Sequence, residues 1–205
     1  MLKLEKIAIT GGLSCGKSSV CRFLSQLGAY VASSDNIVHQ LLSTDTKLGQ
    51  EIINLLGTKI LVDQKINRSL VAEIVFQDFD LLQALEKITH PVVYNEIDKE
   101  FQKQERKYPQ PALFVAEIPL LFESDCRIRF DSTVVVIANE EVCIKRFKET
   151  NRSTFDQYKK RVSRQIPILE KAKLADYVLI NEGSLLDLKE KTLDLYRKLT
   201  KDCLH

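Results

Sequence analysis

Residues Gly11 to Ser18 read G-G-L-S-C-G-K-S and fit the pattern G-x-x-x-x-G-K-[ST]. The pattern dictates a fold as well as a ligand, because it works only between a buried strand and the start of a helix. Ile7-Ala8-Ile9-Thr10 is the short apolar run such a strand requires, and Val20, Phe23, Leu24 and Leu27 recur after it at helical spacing. Gly28 then stands where a helix would end on a left-handed residue. Glycines let the backbone turn tightly and bring N–H groups to phosphate oxygens; Lys17 reaches the β- and γ-phosphates, and the Ser18 hydroxyl is a hard oxygen ligand suited to Mg²⁺. Loop amides and helix dipole both favour negative charge, so the segment implies binding of ATP or GTP.

Apolar runs recur at Ile7–Thr10, Tyr30–Ala32, Ala112–Ile118, Thr133–Ala138 and Tyr177–Ile180, with helical patterns between several of them. That alternation predicts an α/β fold with a parallel sheet flanked by helices. From about Thr44 to Pro109 it gives way to a helical tract containing Leu70, Ile74, Val75, Leu81, Leu82, Leu85 and Ile88, read as an inserted helical subdomain. The polar stretch from Lys103, interrupted by Pro109 and Pro111, marks its exit. The reading is thus one domain over 1–205: a nucleotide-binding core of 1–43, 111–150 and 174–205, a helical insertion of 44–110, and a lid of 151–173.

Thirty Lys plus Arg against 28 Asp plus Glu leave a net charge of +2, so no global field draws the chain to nucleic acid or to a membrane surface. The charged start and the lack of an apolar run of ~18 residues lead us to expect a cytoplasmic protein. Its partners are expected to be small molecules rather than nucleic acid or membrane, with the chain a monomer or weak homo-oligomer. Five cysteines, Cys15, Cys21, Cys126, Cys143 and Cys203, show no C-x-x-C pair and read as reduced thiols. Cys15 lies inside the phosphate loop, where the amides and Lys17 would favour a thiolate; alternatively it is a small residue at a free loop position.

Between Lys145 and Lys173 the chain is at its most basic, including Arg146, Arg152, Arg161, Arg164 and Lys171. Such a run is either a solvated helix face or an arginine-bearing lid over the triphosphate, whose transfer needs cations beyond the loop lysine. Neither D-x-x-G nor N-K-x-D occurs, which argues against a switch GTPase. Phe114-Val115-Ala116-Glu117 offers a strand ending in a carboxylate for a Mg²⁺ shell, and the length suits a small-metabolite kinase.

Taken in order, several segments resemble the dephospho-coenzyme A kinase family. They are Thr10-Gly11-Gly12-Leu13-Ser14-Cys15-Gly16-Lys17-Ser18, Ser33-Ser34-Asp35, Arg68-Ser69-Leu70 through Phe76, His90-Pro91, and Pro119-Leu120-Leu121-Phe122-Glu123. Lys145-Arg146, Gln165, Ala175-Asp176 and Asn181-Glu182-Gly183 continue the match, which covers nearly the whole chain. The chain departs from the family pattern in three places: Ser33 replaces an aspartate, Glu117 stands where aspartate is frequent, and no second lid arginine follows Arg146 in register, leaving Arg152 as its candidate substitute.

The resemblance implies a phosphate-loop kinase fold with an acceptor-binding helical insertion and a helical lid. It also implies ATP-dependent phosphorylation of the ribose 3′-hydroxyl of dephospho-coenzyme A, the last step of coenzyme A synthesis. Another small-metabolite or nucleotide kinase, or a nucleotide-gated interaction module, are the rival readings. Lys17, Asp35 and Arg146 would then be catalytic, with ATP held by Thr10 through Ser19, Arg146, Asn181 and Gly183, and Mg²⁺ by Ser18 and Glu117. The acceptor would meet Asp35, Arg68, His90, Pro119, Leu120, Arg161 and Gln165. Each has an ordinary alternative. Asp35 could be a helix N-cap, His90 a helix-boundary residue before proline, Arg146 an exposed helix charge, and Asn181 to Gly183 a plain turn. Arg161, Arg164 and Gln165 fall at i, i+3 and i+4, which predicts one helical face.

Overall fold

The computed structural model describes residues 4–107, 109, 111–124, 126–151 and 154–201; Arg152 and Cys203 lie outside them. The chain divides into two compact units, one of residues up to Ala32 and from Phe101 onward, the other of Ser33–Glu100.

The first unit is built on a five-stranded sheet. Its strands are β1 (Lys6–Gly11), β2 (Tyr30–Ser33), β5 (Phe114–Glu117), β6 (Ser132–Ile137) and β7 (Tyr177–Ile180), ordered β2-β5-β1-β6-β7. β1 runs parallel to both β5 and β6, and β6 parallel to β7. Every residue of β1 is buried, as expected of a central strand covered on both faces. Even Lys6 is enclosed, its ammonium 5.3 Å from the centre of the Phe101 ring and 4.9 Å from that of Phe130. The core joins Ile7, Ile9, Val20 and Leu24 to Val115, Val134, Phe147 and Leu195, so α1 (Lys17–Gln26), α6 (Glu140–Asn151) and α9 (Leu185–Lys201) pack on the sheet. Gly28 has φ of 97°, the left-handed residue expected after α1.

Two short helices, α7 (Phe155–Val162) and α8 (Ile168–Leu174), follow α6. Here the structure corrects the expectation of one helical face. Only Arg161 lies in α7, which ends at Val162, while Arg164 and Gln165 sit in the turn beyond it. The helix cannot run on because Pro167 lacks the N–H to continue it and disfavours helical geometry at Ile166.

The second unit contains α2 (Ser34–Leu41), α3 (Lys47–Leu56), the hairpin strands β3 (Leu61–Val62) and β4 (Lys65–Ile66), α4 (Arg68–Gln77) and most of α5 (Phe79–Glu105). Asp63 and Gln64 at the hairpin tip both have positive φ, the backbone that a two-residue turn between twisted strands needs. An apolar cluster of Leu48, Ile52, Leu56, Ile60, Val71 and Val75, with Leu81, Leu85 and Ile88 packed against it, holds the unit together. It begins earlier than the expected 44 and ends before 110, because α2 belongs to it and α5 continues without a break into the first unit. Pro91 lies inside α5, so His90 is not a helix-boundary residue.

Candidate active site

The phosphate loop has the form its sequence demands. Gly11, at φ of 145°, passes so close to β6 that a Cβ would lie 2.1 Å from the Val136 carbonyl oxygen. Gly16, at φ of 99°, immediately precedes α1, and a Cβ there would lie 2.3 Å from Asn181 Nδ2. No side chain caps α1 and no acidic residue stands in its first turn. The helix thus offers free N–H groups and the positive end of its dipole, the condition for an anion site. Lys17 Nζ donates to the carbonyls of Gly12 at 2.8 Å and Gly11 at 3.3 Å, which hold the half-buried cation beside the loop. Gly12, Leu13, Ser14 and Ser19 are likewise half-buried, while Ser18 is exposed.

Across the first unit, several expected partners meet. The Ser18 hydroxyl donates to Glu117 Oε1 at 2.7 Å, which puts the two hard oxygen donors side by side. Asn181 Nδ2 donates at 2.8 Å to the Cys15 carbonyl, so this buried side chain supports the loop from behind. Arg146 is half-buried, with Nη1 3.9 Å from the position of a Cβ on Gly16 and without a hydrogen-bond partner among the described residues. A guanidinium nitrogen left unpaired beside an anion site is suited to a phosphate oxygen. Thr10 Oγ1 donates to the Pro119 carbonyl at 3.2 Å, and the Leu120 carbonyl accepts from Ser124, closing the turn after β5.

Gly183 lies close to the start of α9, where a Cβ would crowd the Asp187 side chain whose Oδ2 accepts from the Ser184 N–H. A cavity of about 280 Å³ lies between the loop residues Gly12, Leu13 and Cys15 and the residues Tyr158, Val162 and Gln165 of the basic segment. Burial pushes Cys143 up to about 11 and Tyr158 up to about 12, so neither group is ionised at physiological pH. Arg161 is exposed and its guanidinium stacks 5.5 Å from the centre of the Phe147 ring.

Of the two readings of Cys15, the structure favours the small buried residue over the thiolate. It is 1% exposed, and burial raises its pKa although Lys17 pulls the other way. A neutral thiol that makes up part of the cavity wall is a poor target for alkylation.

Within the second unit, Asp35 is exposed in the first turn of α2. It is not the N-cap. Ser33 fills that role, accepting from the Asn36 N–H at 3.4 Å. Arg68 is the first residue of α4 and is exposed, where Asn67 caps by accepting from Ser69 and Leu70 N–H groups. A cation at the positive end of a helix gains nothing from the helix dipole. His90 is half-buried on α5 with its ring edge-on to Tyr94, and burial lowers its pKa against the opposing pull of Glu86.

These features agree with what the chain is similar to. The dephospho-CoA kinase (CoaE) family model matches residues 6–187. The chain belongs to the dephospho-CoA kinase family. A dephospho-CoA kinase of Protochlamydia amoebophila is 51% identical over 199 residues, covering 97% of this chain and 98% of that one. A solved Thermus thermophilus structure superposes with a TM-score of 0.80 at 30% identity, over 97% of this chain and 99% of its own. The solved dephospho-CoA kinase of Campylobacter jejuni gives 0.69 at 28% identity, over 96% and 98%.

Two polar residues make long-range contacts that their sequence context does not announce. Lys171 is fully enclosed and pairs with Glu123 at 2.7 Å, although its sequence context is that of a basic surface helix. Asp176 accepts from the Thr133 N–H at 2.8 Å and from Arg127 Nη2, tying β7 to β6. Burial would raise its pKa, but the Thr133 hydrogen bonds and the Arg127 charge outweigh it and lower the value.

Proposed function

We propose that this kinase transfers the γ-phosphoryl group of ATP to the ribose 3′-hydroxyl of dephospho-coenzyme A, giving coenzyme A and ADP. The membership of the family supports the acceptor. The observation most in favour of the chemistry is the Ser18–Glu117 pair, two hard oxygens 2.7 Å apart beside an uncapped helix start. Among the described residues no group of three or more His, Cys, Asp or Glu could hold a metal by itself. That suits Mg²⁺, which is normally bound by one or two protein oxygens together with substrate phosphates. Ser18 and Glu117 would hold it, and when bound it would supply charge neutralisation for the phosphate oxygens.

The chain's own groups would do the rest. Lys17 leaves the Gly11 and Gly12 carbonyls for the β- and γ-phosphates, and Arg146 supplies its unpaired nitrogen to the same anion. Arg161 and Gln165 belong to the segment that closes over the triphosphate and excludes water. Asp35 orients the acceptor hydroxyl and accepts its proton as the oxygen bonds to phosphorus and ADP departs, while Arg68 and His90 hold the acceptor. His90 would do so as a neutral imidazole.

An acceptor screen tests the reading. Purified protein with Mg-ATP should release ADP many-fold faster with dephospho-coenzyme A than with nucleoside monophosphates, small sugars or no acceptor. Equal release with all of them would overturn the acceptor assignment.

A further inference from the structure

Lys171 is 0% exposed, which is exceptional for an ammonium. Its Nζ pairs with Glu123 Oε1 at 2.7 Å and donates to the Pro119 carbonyl at 3.2 Å. Each partner leads elsewhere. The Pro119 oxygen also accepts from Thr10 Oγ1 at the end of β1, where the phosphate loop begins. Glu123 Oε1 also accepts at 3.0 Å from the Ile166 N–H, which follows Gln165 directly. One enclosed cation thus joins the approach to the phosphate loop, the turn after β5 and the turn that bears Arg164 and Gln165. α8, on which Lys171 lies, starts with Ile168, whose Cδ1 is 3.6 Å from the position of a Cβ on Gly12.

We infer that Lys171 is a positioning residue, its contacts to Glu123 and Pro119 fixing the Gln165 turn and the start of α8 against the phosphate loop. The inference rests on the reading of Gln165 as part of the closing segment. Burial lowers the Lys171 pKa, and the hydrogen bond and charge of Glu123 oppose it. Glu123 Oε2 is buried without a hydrogen-bond partner among the described residues. Such an orphan oxygen leaves part of the pair's desolvation cost uncompensated.

Removing one partner of a buried pair leaves the other charge uncompensated, so Lys171→Met alone is expected to lose thermal stability. The double variant Lys171→Met, Glu123→Gln removes both charges and separates stability from position. Full-length protein is assayed for melting temperature, ATP affinity and steady-state kinetics with dephospho-coenzyme A. The expected result is a double variant that melts near the wild type and binds ATP within about threefold, yet loses kcat by roughly tenfold or more, since small misplacements of positioning groups are costly. Lys171→Arg, which retains the charge, should recover at least part of that kcat. Wild-type kcat in the folded double variant would overturn the inference, and so would its failure to fold, which would make the ammonium a structural element. The underlying reading fails separately: Gln165→Ala with undiminished turnover would remove Gln165 from the closing segment, whatever Lys171 does.

Discussion

The sheet unit and the helical unit hold their candidate functional side chains in opposite ways. Around the phosphate loop, polar groups are fixed by partners far away in the chain: Asn181 holds Cys15 across 166 residues and Ser18 holds Glu117 across 99. In the helical unit, the hydrogen bonds beside Asp35 and Arg68 are local caps made by Ser33 and Asn67. The apolar cluster supports the helices and leaves the two charged side chains exposed at their N-terminal ends. A triphosphate site must be preorganised, because its donors have to meet developing charge without rearranging. An acceptor site can be assembled from side chains that rest in water until substrate arrives.

The largest effect is expected at Lys17. Lys17→Ala removes the loop cation but no core contact, so the protein should melt as the wild type does while turnover falls by about 10²–10³-fold or more. Steady-state ADP release together with a melting curve checks this, and near-normal turnover in a folded variant would deny Lys17 its role. Asp35→Asn comes next. Since Ser33 makes the cap, melting temperature should hardly move, while kcat falls by about 10²-fold, the low end for general-base assistance in a loose phosphoryl transfer. A drop in melting temperature with kcat preserved would turn Asp35 into a helix-stabilising residue.

Asn181→Ala should cost less. It leaves the buried Cys15 carbonyl without its donor, a loss of about 1–3 kcal/mol in stability, and should raise the KM for ATP by roughly tenfold as the loop loosens. An unchanged KM would show that the loop is held without this long-range bond. The smallest effects are pH effects, and they differ between the units. Asp176 has a folded value below its ordinary 3.8, so its contribution is complete above that pH and is lost as pH falls through the folded value. His90 has a folded value below 6.5, so its contribution is complete above pH 6.5 and declines at lower pH towards the folded value. Melting temperature followed from pH 7 to pH 3 should therefore flatten just below pH 6.5 in His90→Asn, and lose its most acidic decline in Asp176→Asn.

What could be read from sequence is what depends on local pattern. Each strand of the five-stranded sheet lies within about two residues of its apolar run, and Gly16, Lys17 and Ser18 stand where the motif requires. Ser33, a departure from the family pattern, turns out to cap α2 and so frees Asp35 from that task. Burial and long-range pairing were not legible. For Cys15 the sequence allowed a thiolate stabilised by Lys17 or a small residue at a free loop position, and its burial, with Asn181 from far along the chain held to its carbonyl, decides for the neutral residue. Lys171 belongs to a run of basic residues and nothing in its spacing marks it as enclosed. The single helical face of Arg161, Arg164 and Gln165 failed on a local signal that was present, Pro167, outweighed in the reading by the i, i+3, i+4 spacing.

The division of labour between the two units has one direct test, the affinity for ATP of Lys17→Ala and Asp35→Asn measured side by side by titration calorimetry. Lys17→Ala should bind ATP at least tenfold more weakly than the wild type, and Asp35→Asn should bind it within about threefold, although both have lost turnover. Equal loss of ATP affinity in the two variants, or a loss confined to Asp35→Asn, would contradict the assignment of the triphosphate to the sheet unit and of the acceptor to the helical one.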